Sequence, residues 1–252
     1  MSEISGKWTQ TFLGEVVQLN PKSVLDDELK VGFSPMAMIP KDYRGVIEFE
    51  ERLWGKAKKG YTHFQDGDVL FAKVTPCFEN GKAVFVTGLP NGKGAGSTEY
   101  FVLRPYGSLI EPKYLLALVK TKDFLRNGAT NMTGSVGLKR VPKEFVQTYP
   151  LPLPPLAEQK EIAARLDNLL AQVDSIKTRL DSIPTILKRF RQSVLAAAVS
   201  GKLTEEWREV NEVSIEKWVS TNIGALAQVA TGKTPKRTNV EYWDGEAEQR
   251  WR

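Results

Sequence analysis

An apolar stripe of unusual length constrains this chain more than any other feature. Starting at Ile162 and stepping alternately by four and three, one meets Ile162, Leu166, Leu169, Val173, Ile176, Leu180, Ile183, Leu187, Phe190, Val194 and Ala197. All are apolar, while Asp167, Gln172, Asp174, Lys177, Arg179, Asp181, Lys188, Arg189 and Arg191 fall between them. This is the pattern of a coiled-coil seam with a solvated outer face. Pro155 suits a first helical turn, Glu158 and Glu161 favour the positive end of the helix dipole, and Gly201 supplies a stop. Pro184 lacks a backbone donor and is expected to kink the helix. A helix over 156–202 would run about 65–70 Å at ~1.5 Å per residue.

The seam has an energetic consequence. Fully burying one such side chain is worth about 1.5–3 kcal/mol, so the helix requires a partner. No second long heptad run occurs in the chain. The partner is then a second copy or another protein. The competing reading, in which the helix folds back on its own domain, conflicts with its expected length.

Around the stripe the chain divides into four parts. Residues 1–150 read as a mixed, strand-rich domain, giving an α+β fold class. Short apolar runs at 69–72, 83–86 and 100–103 are bounded by Gly, Pro, Asn and Asp, as strands are. Tyr114–Arg126 is a helix candidate ended by Asn127-Gly128. Residues 151–155 lie in a proline-rich stretch, Pro150-Leu-Pro-Leu-Pro-Pro155, that forbids helix and reads as a stiff hinge. Residues 156–202 read as the coiled-coil helix. Residues 203–252 read as the start of an incomplete second domain. At an offset of 210, Trp8/Trp218, Thr11/Thr221, Leu13/Ile223, Gly14/Gly224, Val16/Leu226, Gln18/Gln228 and Leu19/Val229 match, the mark of an internal repeat. The tail from Thr238 is too polar for a core and is expected to be poorly ordered.

Several chemistries find no support. One cysteine, Cys77, and one histidine, His63, leave no intrachain disulfide or cysteine zinc site. His63 reads as a packed or surface residue rather than a base, and Cys77 as a small buried hydrophobe. No metal site is expected. Thr231-Gly-Lys-Thr234 resembles the end of a phosphate loop, but Ala227 stands where the first glycine is required. The run Gly92–Gly96 has the wrong spacing for a dinucleotide fingerprint and reads as a mobile loop beside a ligand. No aromatic-Pro-Pro methyl-transfer motif is present, so the chain is not expected to be an enzyme or to have catalytic residues. No apolar run is long enough to span a membrane, and no signal peptide is recognisable, so the cytoplasm is the expected compartment.

What remains is binding chemistry. The net charge is +5, with twenty Lys/Arg against sixteen Asp/Glu in residues 1–150, a mild pointer to an anionic partner. Three turns carry the residue types that contact phosphates and base edges. They present Lys73, Thr75, Asn80 and Lys82; Ser97 and Thr98; and Lys139 and Arg140. Arg44, Lys56, Lys58 and Lys59 add positive charge. The alternative is a globular head on a coiled-coil stalk, a scaffold that reads no DNA.

Gly67-Asp-Val-Leu-Phe-Ala-Lys-Val-Thr-Pro-Cys-Phe-Glu-Asn-Gly-Lys82 and Ser97-Thr-Glu-Tyr-Phe-Val-Leu-Arg-Pro105 resemble recognition-domain signatures of the specificity subunits of type I restriction–modification systems. Leu153-Pro-Pro-Leu-Ala-Glu-Gln159 with the heptad helix, ending at Leu195–Thr204, resembles their spacer, and 224–235 the start of their second recognition domain. The resemblance implies a non-catalytic subunit in which two recognition domains each read half of a split double-stranded DNA site, held apart by paired helices. It implies methyltransferase (modification) subunits docked on that core and a restriction motor subunit. S-adenosylmethionine, ATP and magnesium would belong to those partners, which together form an N6-adenine methyltransferase and ATP-dependent endonuclease. The chain resembles a half-subunit, natural or a fragment, for which a homodimer through Ile162–Val194 of the helix is expected.

Overall fold

The computed structural model describes residues 8–135 and 137–232. Two compact units divide at Leu180/Asp181. The first unit begins with β1 (Thr9–Phe12), α1 (Leu13–Val16) and β2 (Val17–Leu19), then β3 (Lys30–Ser34), β4 (Glu50–Leu53) and α2 (Trp54–Ala57). There follow β5 (Thr62–Gln65), β6 (Val69–Ala72), β7 (Ala83–Phe85), β8 (Lys93–Gly96) and β9 (Tyr100–Pro105). The helices α3 (Pro112–Val119) and α4 (Lys122–Asn131), the strands β10 (Thr133–Ser135) and β11 (Leu138–Arg140), α5 (Lys143–Gln147) and β12 (Pro150–Leu153) complete the domain before α6 (Leu156–Val199).

Two four-stranded sheets form the body, in the orders β2-β9-β6-β7 and β4-β3-β8-β5. The first is wholly antiparallel; in the second, β3 and β8 run parallel. The apolar runs that marked β6 and β9 are continuous rather than alternating because both faces are covered. Val69, Phe71, Phe101 and Leu103 turn to one core, shared with Leu115 of α3 and Phe124 of α4. Leu70, Tyr100 and Val102 turn to another, shared with Phe64 of β5. Neighbouring side chains in a strand point to opposite faces, so helix, sheet and second sheet stack as layers. A third cluster seats Trp54 and Ala57 of α2 on Val31, Phe33 and Ala95.

Several expectations change in the fold. The glycine-rich run is not a mobile loop: Lys93–Gly96 is β8, paired on both sides. A Cβ on Gly94 would lie 2.3 Å from the Phe64 ring, and one on Gly96 2.2 Å from the Ser34 carbonyl oxygen, so tight strand packing explains the glycines. The single helix expected over 114–126 is two helices. Thr121 caps the second by accepting a hydrogen bond from the Phe124 N–H. Gly128 does not end that helix; it sits inside it, where a Cβ would meet the Phe78 ring at 2.2 Å. The proline stretch is not only a hinge. Pro150–Leu153 pairs antiparallel with Thr9–Phe12 and so closes the domain on its own N-terminal segment. His63 is packed: its ring lies 4.5 Å from Trp54, Nδ1 accepts from the Ser23 N–H, and Nε2 faces the Lys58 carbonyl at 2.9 Å. Cys77 is half-buried rather than fully enclosed.

The 44-residue helix α6 runs through Pro184 without interruption and stops at Gly201, whose φ is +77°. Its first turns are fixed to the domain. Gln159, nearly fully buried, accepts from the Glu111 N–H at 2.8 Å and donates to the carbonyls of Leu109 and Pro154. Ile162 packs against the domain core, and Ala163 is buried. Lys113 pairs with Asp167, and Arg44 with Asp174 at 2.9 Å. From Leu169 onward the seam is exposed.

In the second unit, α7 (Glu205–Val210) follows the helix stop, and α8 (Ile223–Leu226) lies further on. Arg208 donates to the Gly201 carbonyl and the Thr204 hydroxyl. The internal repeat is visible here as structure. Helix α8 lies 210 residues after α1, and the flanking residues share backbone angles: −110°/148° at Phe12 against −106°/156° at Asn222. Leu13 and Val16 are buried, whereas Ile223 and Leu226 are exposed. The tail from Thr238 lies outside the described residues.

Two outcomes are expected. Asp68, 1 % exposed, takes a bidentate pair of 2.8 Å bonds from Arg104. Asp68→Ala should cost about 3–5 kcal/mol in chemical denaturation, because it strands a partly buried guanidinium. Burial holds the His63 pKa below its usual value, against the pull of the Lys58 carbonyl. The folded state therefore binds this proton less readily than the unfolded chain. Stability should be full above about pH 6.5 and fall on acidification below it, less so in His63→Gln, in thermal melts across that range.

Candidate nucleic-acid interface

The structure brings the three candidate turns together. Residues 73–75 run between the other two: the Lys73 N–H donates to the Glu99 carbonyl, the Thr75 N–H to the Lys139 carbonyl, and the Val141 N–H to the Lys73 carbonyl. Val74 bridges to Arg140. Lys73, Thr75, Ser97, Thr98, Lys139 and Arg140 therefore share one region, though Lys73 and Arg140 are 67 positions apart in the sequence.

The individual side chains divide by what they already hold. Lys139 and Thr98 are exposed, as is Asn80, whose turn closes through its own backbone N–H to Pro76. Lys73 lies 5.8 Å from the Phe101 ring centroid. The Thr75 hydroxyl reaches Glu79 at 3.3 Å, and the Ser97 hydroxyl accepts from the Glu99 N–H. Arg140 is committed to Glu99: Nε donates to both carboxylate oxygens and Nη2 to one, at 2.7–3.0 Å. These bonds hold the Glu99 carboxyl below the usual carboxylate range despite its partial burial.

Lys82 is already engaged. Its ammonium donates to the Met36 carbonyl at 2.7 Å and the Ala37 carbonyl at 3.4 Å, so it braces the 36–38 turn from within. Lys120, which sequence reasoning missed, does the same for the next stretch, donating to Lys41 and Gly81 carbonyls. Burial there pushes its pKa down to about 8. The remaining basic candidates are not gathered with the three turns by any bond of the described residues. Arg44 is tied to Asp174 on α6, and Lys58 binds Asp27 at 2.5 Å. Lys56 and Lys59 are exposed on and just after α2.

A second feature adjoins the start of α6. A cleft of about 550 Å³ is lined by Tyr43, Val46, Lys113, Asp167 and Ala171, among others. Tyr43 donates to the Lys113 carbonyl, and its pKa is pushed up to about 12 by burial and by the Asp167 and Glu111 charges. Beyond it, Leu169, Val173, Ile176, Leu180, Ile183, Leu187, Phe190 and Val194 are all exposed, Phe190 by 64 %. Ile162, counted in the pairing seam from sequence, serves the domain core instead, and Leu166 is half-buried. The anchoring role of Gln159 was also missed. Its motif was legible, but its three partners come from segments that only folding brings near.

Among the described residues, no group of three or more His, Cys, Asp or Glu side chains is placed to hold a metal, and no helix is long and apolar enough to cross a membrane.

A family model described as "Type I restriction modification DNA specificity domain" matches residues 5–185. The EcoAI specificity subunit of Escherichia coli is 46 % identical over 170 residues, which cover 67 % of this chain and 29 % of that protein. The EcoEI specificity subunit of the same species is 44 % identical over 169 residues, 67 % and 28 % of the two chains. The matches thus span less than a third of the length of these curated relatives. Among solved structures, the HsdS subunit from Thermoanaerobacter tengcongensis superimposes with a TM-score of 0.58 at 25 % identity, covering 71 % of this chain and 46 % of that one.

Lys82→Met should lower stability by about 1–3 kcal/mol, because it leaves a turn carbonyl unpaired, whereas Lys139→Ala should change it by less than about 0.5 kcal/mol. Denaturant midpoints of the two variants check this ordering.

Proposed function

The chain belongs to the family of type I restriction–modification DNA specificity domains, and from that premise we propose that it reads one half of a bipartite site in double-stranded DNA. It does so as a subunit without an active site of its own. The observation that carries this reading is the gathering of three polar and basic turns into one region of a domain that also carries a long unpaired helix.

The helix supplies the second half of the function. Its base is fixed to the domain by Gln159, Lys113–Asp167 and Arg44–Asp174. Its exposed seam then takes a second helix, which sets the distance between two recognition domains. A second copy of this chain supplies that helix, giving a homodimer and an interrupted palindrome as target. Methyltransferase subunits dock on the paired helices and supply S-adenosylmethionine chemistry. A motor subunit brings ATP and magnesium, and the assembly works in the cytoplasm. A single domain reading three or four base pairs discriminates by about 1–3 kcal/mol per pair, so two domains at a fixed spacing raise specificity sharply. A scaffold that reads no DNA has no use for the gathered turns.

The double substitution Leu180→Lys, Leu187→Lys should abolish self-association in sedimentation at micromolar concentration, with the domain's melting temperature unchanged. A wild-type monomer at that concentration would overturn the homodimer. Selection from random duplex DNA should enrich a short sequence element, with affinity falling steeply as salt rises.

A further inference from the structure

The hairpin formed by β10 and β11 stands outside both four-stranded sheets, pairing Thr133 with Arg140, Gly134 with Lys139 and Ser135 with Leu138, with a single further bridge from Arg140 to Val74. Its side chains enter none of the three cores, and Leu138 is 49 % exposed. A two-stranded ribbon of this kind is marginal in water without outside support. Here the support is concentrated at one end, through Arg140 to Glu99, the Thr75 N–H to the Lys139 carbonyl, and the Val141 N–H to the Lys73 carbonyl. The chain thus spends a bidentate ion pair on holding an element that contributes nothing to burial.

We propose that this ribbon is the part of the chain that enters the major groove of double-stranded DNA, with Glu99 and Arg140 as its positioning pair. The inference rests on the DNA-reading function proposed above. Width favours the major groove: about 12 Å admits a two-stranded ribbon, whereas the ~6 Å minor groove does not. Charge points the same way. From Asn131 to Lys143 the sequence has three cations and no carboxylate. Glu99 neutralises Arg140, which leaves Lys139 and Lys143 without an ion-pair partner among the described residues.

The two faces of the ribbon differ in chemistry. Cross-strand partners share a face. Thr133, Ser135, Leu138 and Arg140 form one face; with Arg140 held by Glu99, it leaves hydroxyls for base edges and an apolar group for a thymine methyl. Gly134 and Lys139 form the other. Gly134 has a φ of +129° and a Cβ there would lie 2.6 Å from the Leu138 carbonyl, so this face stays bare beside a lysine, suited to close approach of a phosphate.

The test uses the full chain and duplex DNA selected by it, compared with random duplex. Leu138→Ala and Ser135→Ala should each lower the selected-to-random affinity ratio about tenfold while random-DNA binding stays unchanged. Lys139→Gln should weaken both alike and reduce the salt slope by about one. Glu99→Gln should lower the ratio at unaltered melting temperature, a change that a purely structural role would not produce, and Glu99→Asp should restore part of it. Replacing purines of the selected site by 7-deazapurines, which removes a major-groove acceptor, should cost binding. If the wild-type chain does not distinguish selected from random DNA, the function proposed above fails and this inference with it. If it does, but the hairpin variants keep the full ratio or the deaza substitution is silent, only the assignment of the ribbon is overturned.

Discussion

Apolar burial is shared unevenly in this molecule, and its architecture follows from that imbalance. The domain over 8–153 satisfies its hydrophobic side chains internally, in three clusters divided by two sheets. The helix that leaves it does not. Only its first turns, through Ile162, Ala163 and Gln159, find cover. Eight large apolar residues beyond them remain half exposed or nearly so, at a spacing that suits another helix and nothing smaller. A rigid base with an open seam is what a spacer needs. If the base were loose, pairing would fix no distance; if the seam were closed, there would be nothing to pair.

The conspicuous motifs serve mostly as framework. Asp68 and Arg104, one in each signature, bind each other in a nearly buried pair. Glu99 holds Arg140, and Lys82 and Lys120 brace main-chain carbonyls. Charged groups buried without partners are costly, so residues of this type that persist near a core are generally engaged. The side chains left exposed in this region are the less distinctive ones: Lys139, Thr98, Ser135 and Leu138. Recognition surfaces need to be variable on a constant support, and the division between engaged and exposed polar residues here has that form.

The repeat adds a second constraint. Helices α1 and α8 share their flanking backbone angles, and each holds a glycine at its second position. At Gly14 the reason is contact: a Cβ would lie 2.9 Å from the Gln147 carbonyl oxygen. At Gly224 nothing among the described residues comes nearer than 3.5 Å. Among the described residues, the second copy's Ile223 and Leu226 are exposed where Leu13 and Val16 are buried.

The sequence by itself determined the elements whose signal is local. The heptad helix, its stop at Gly201, the strands at 69–72 and 100–103 and the repeat all follow from periodicity, turn chemistry or composition, whereas composition leaves His63 either packed or on the surface and the fold decides for packing. It misjudged Gly92–Gly96, because glycine reads as mobility unless the neighbour that excludes a Cβ is known. It took Asn127-Gly128 as a helix stop for the same reason. Tertiary structure alone decided which charged residues are engaged and which are open. Lys82 and Lys139 are alike in a string of letters. They differ in the carbonyls that long-range folding places beside one of them, and such contacts leave no trace in local spacing. The partner of the seam was legible only as a requirement, since burial energy fixes that a cover is needed but not which surface supplies it.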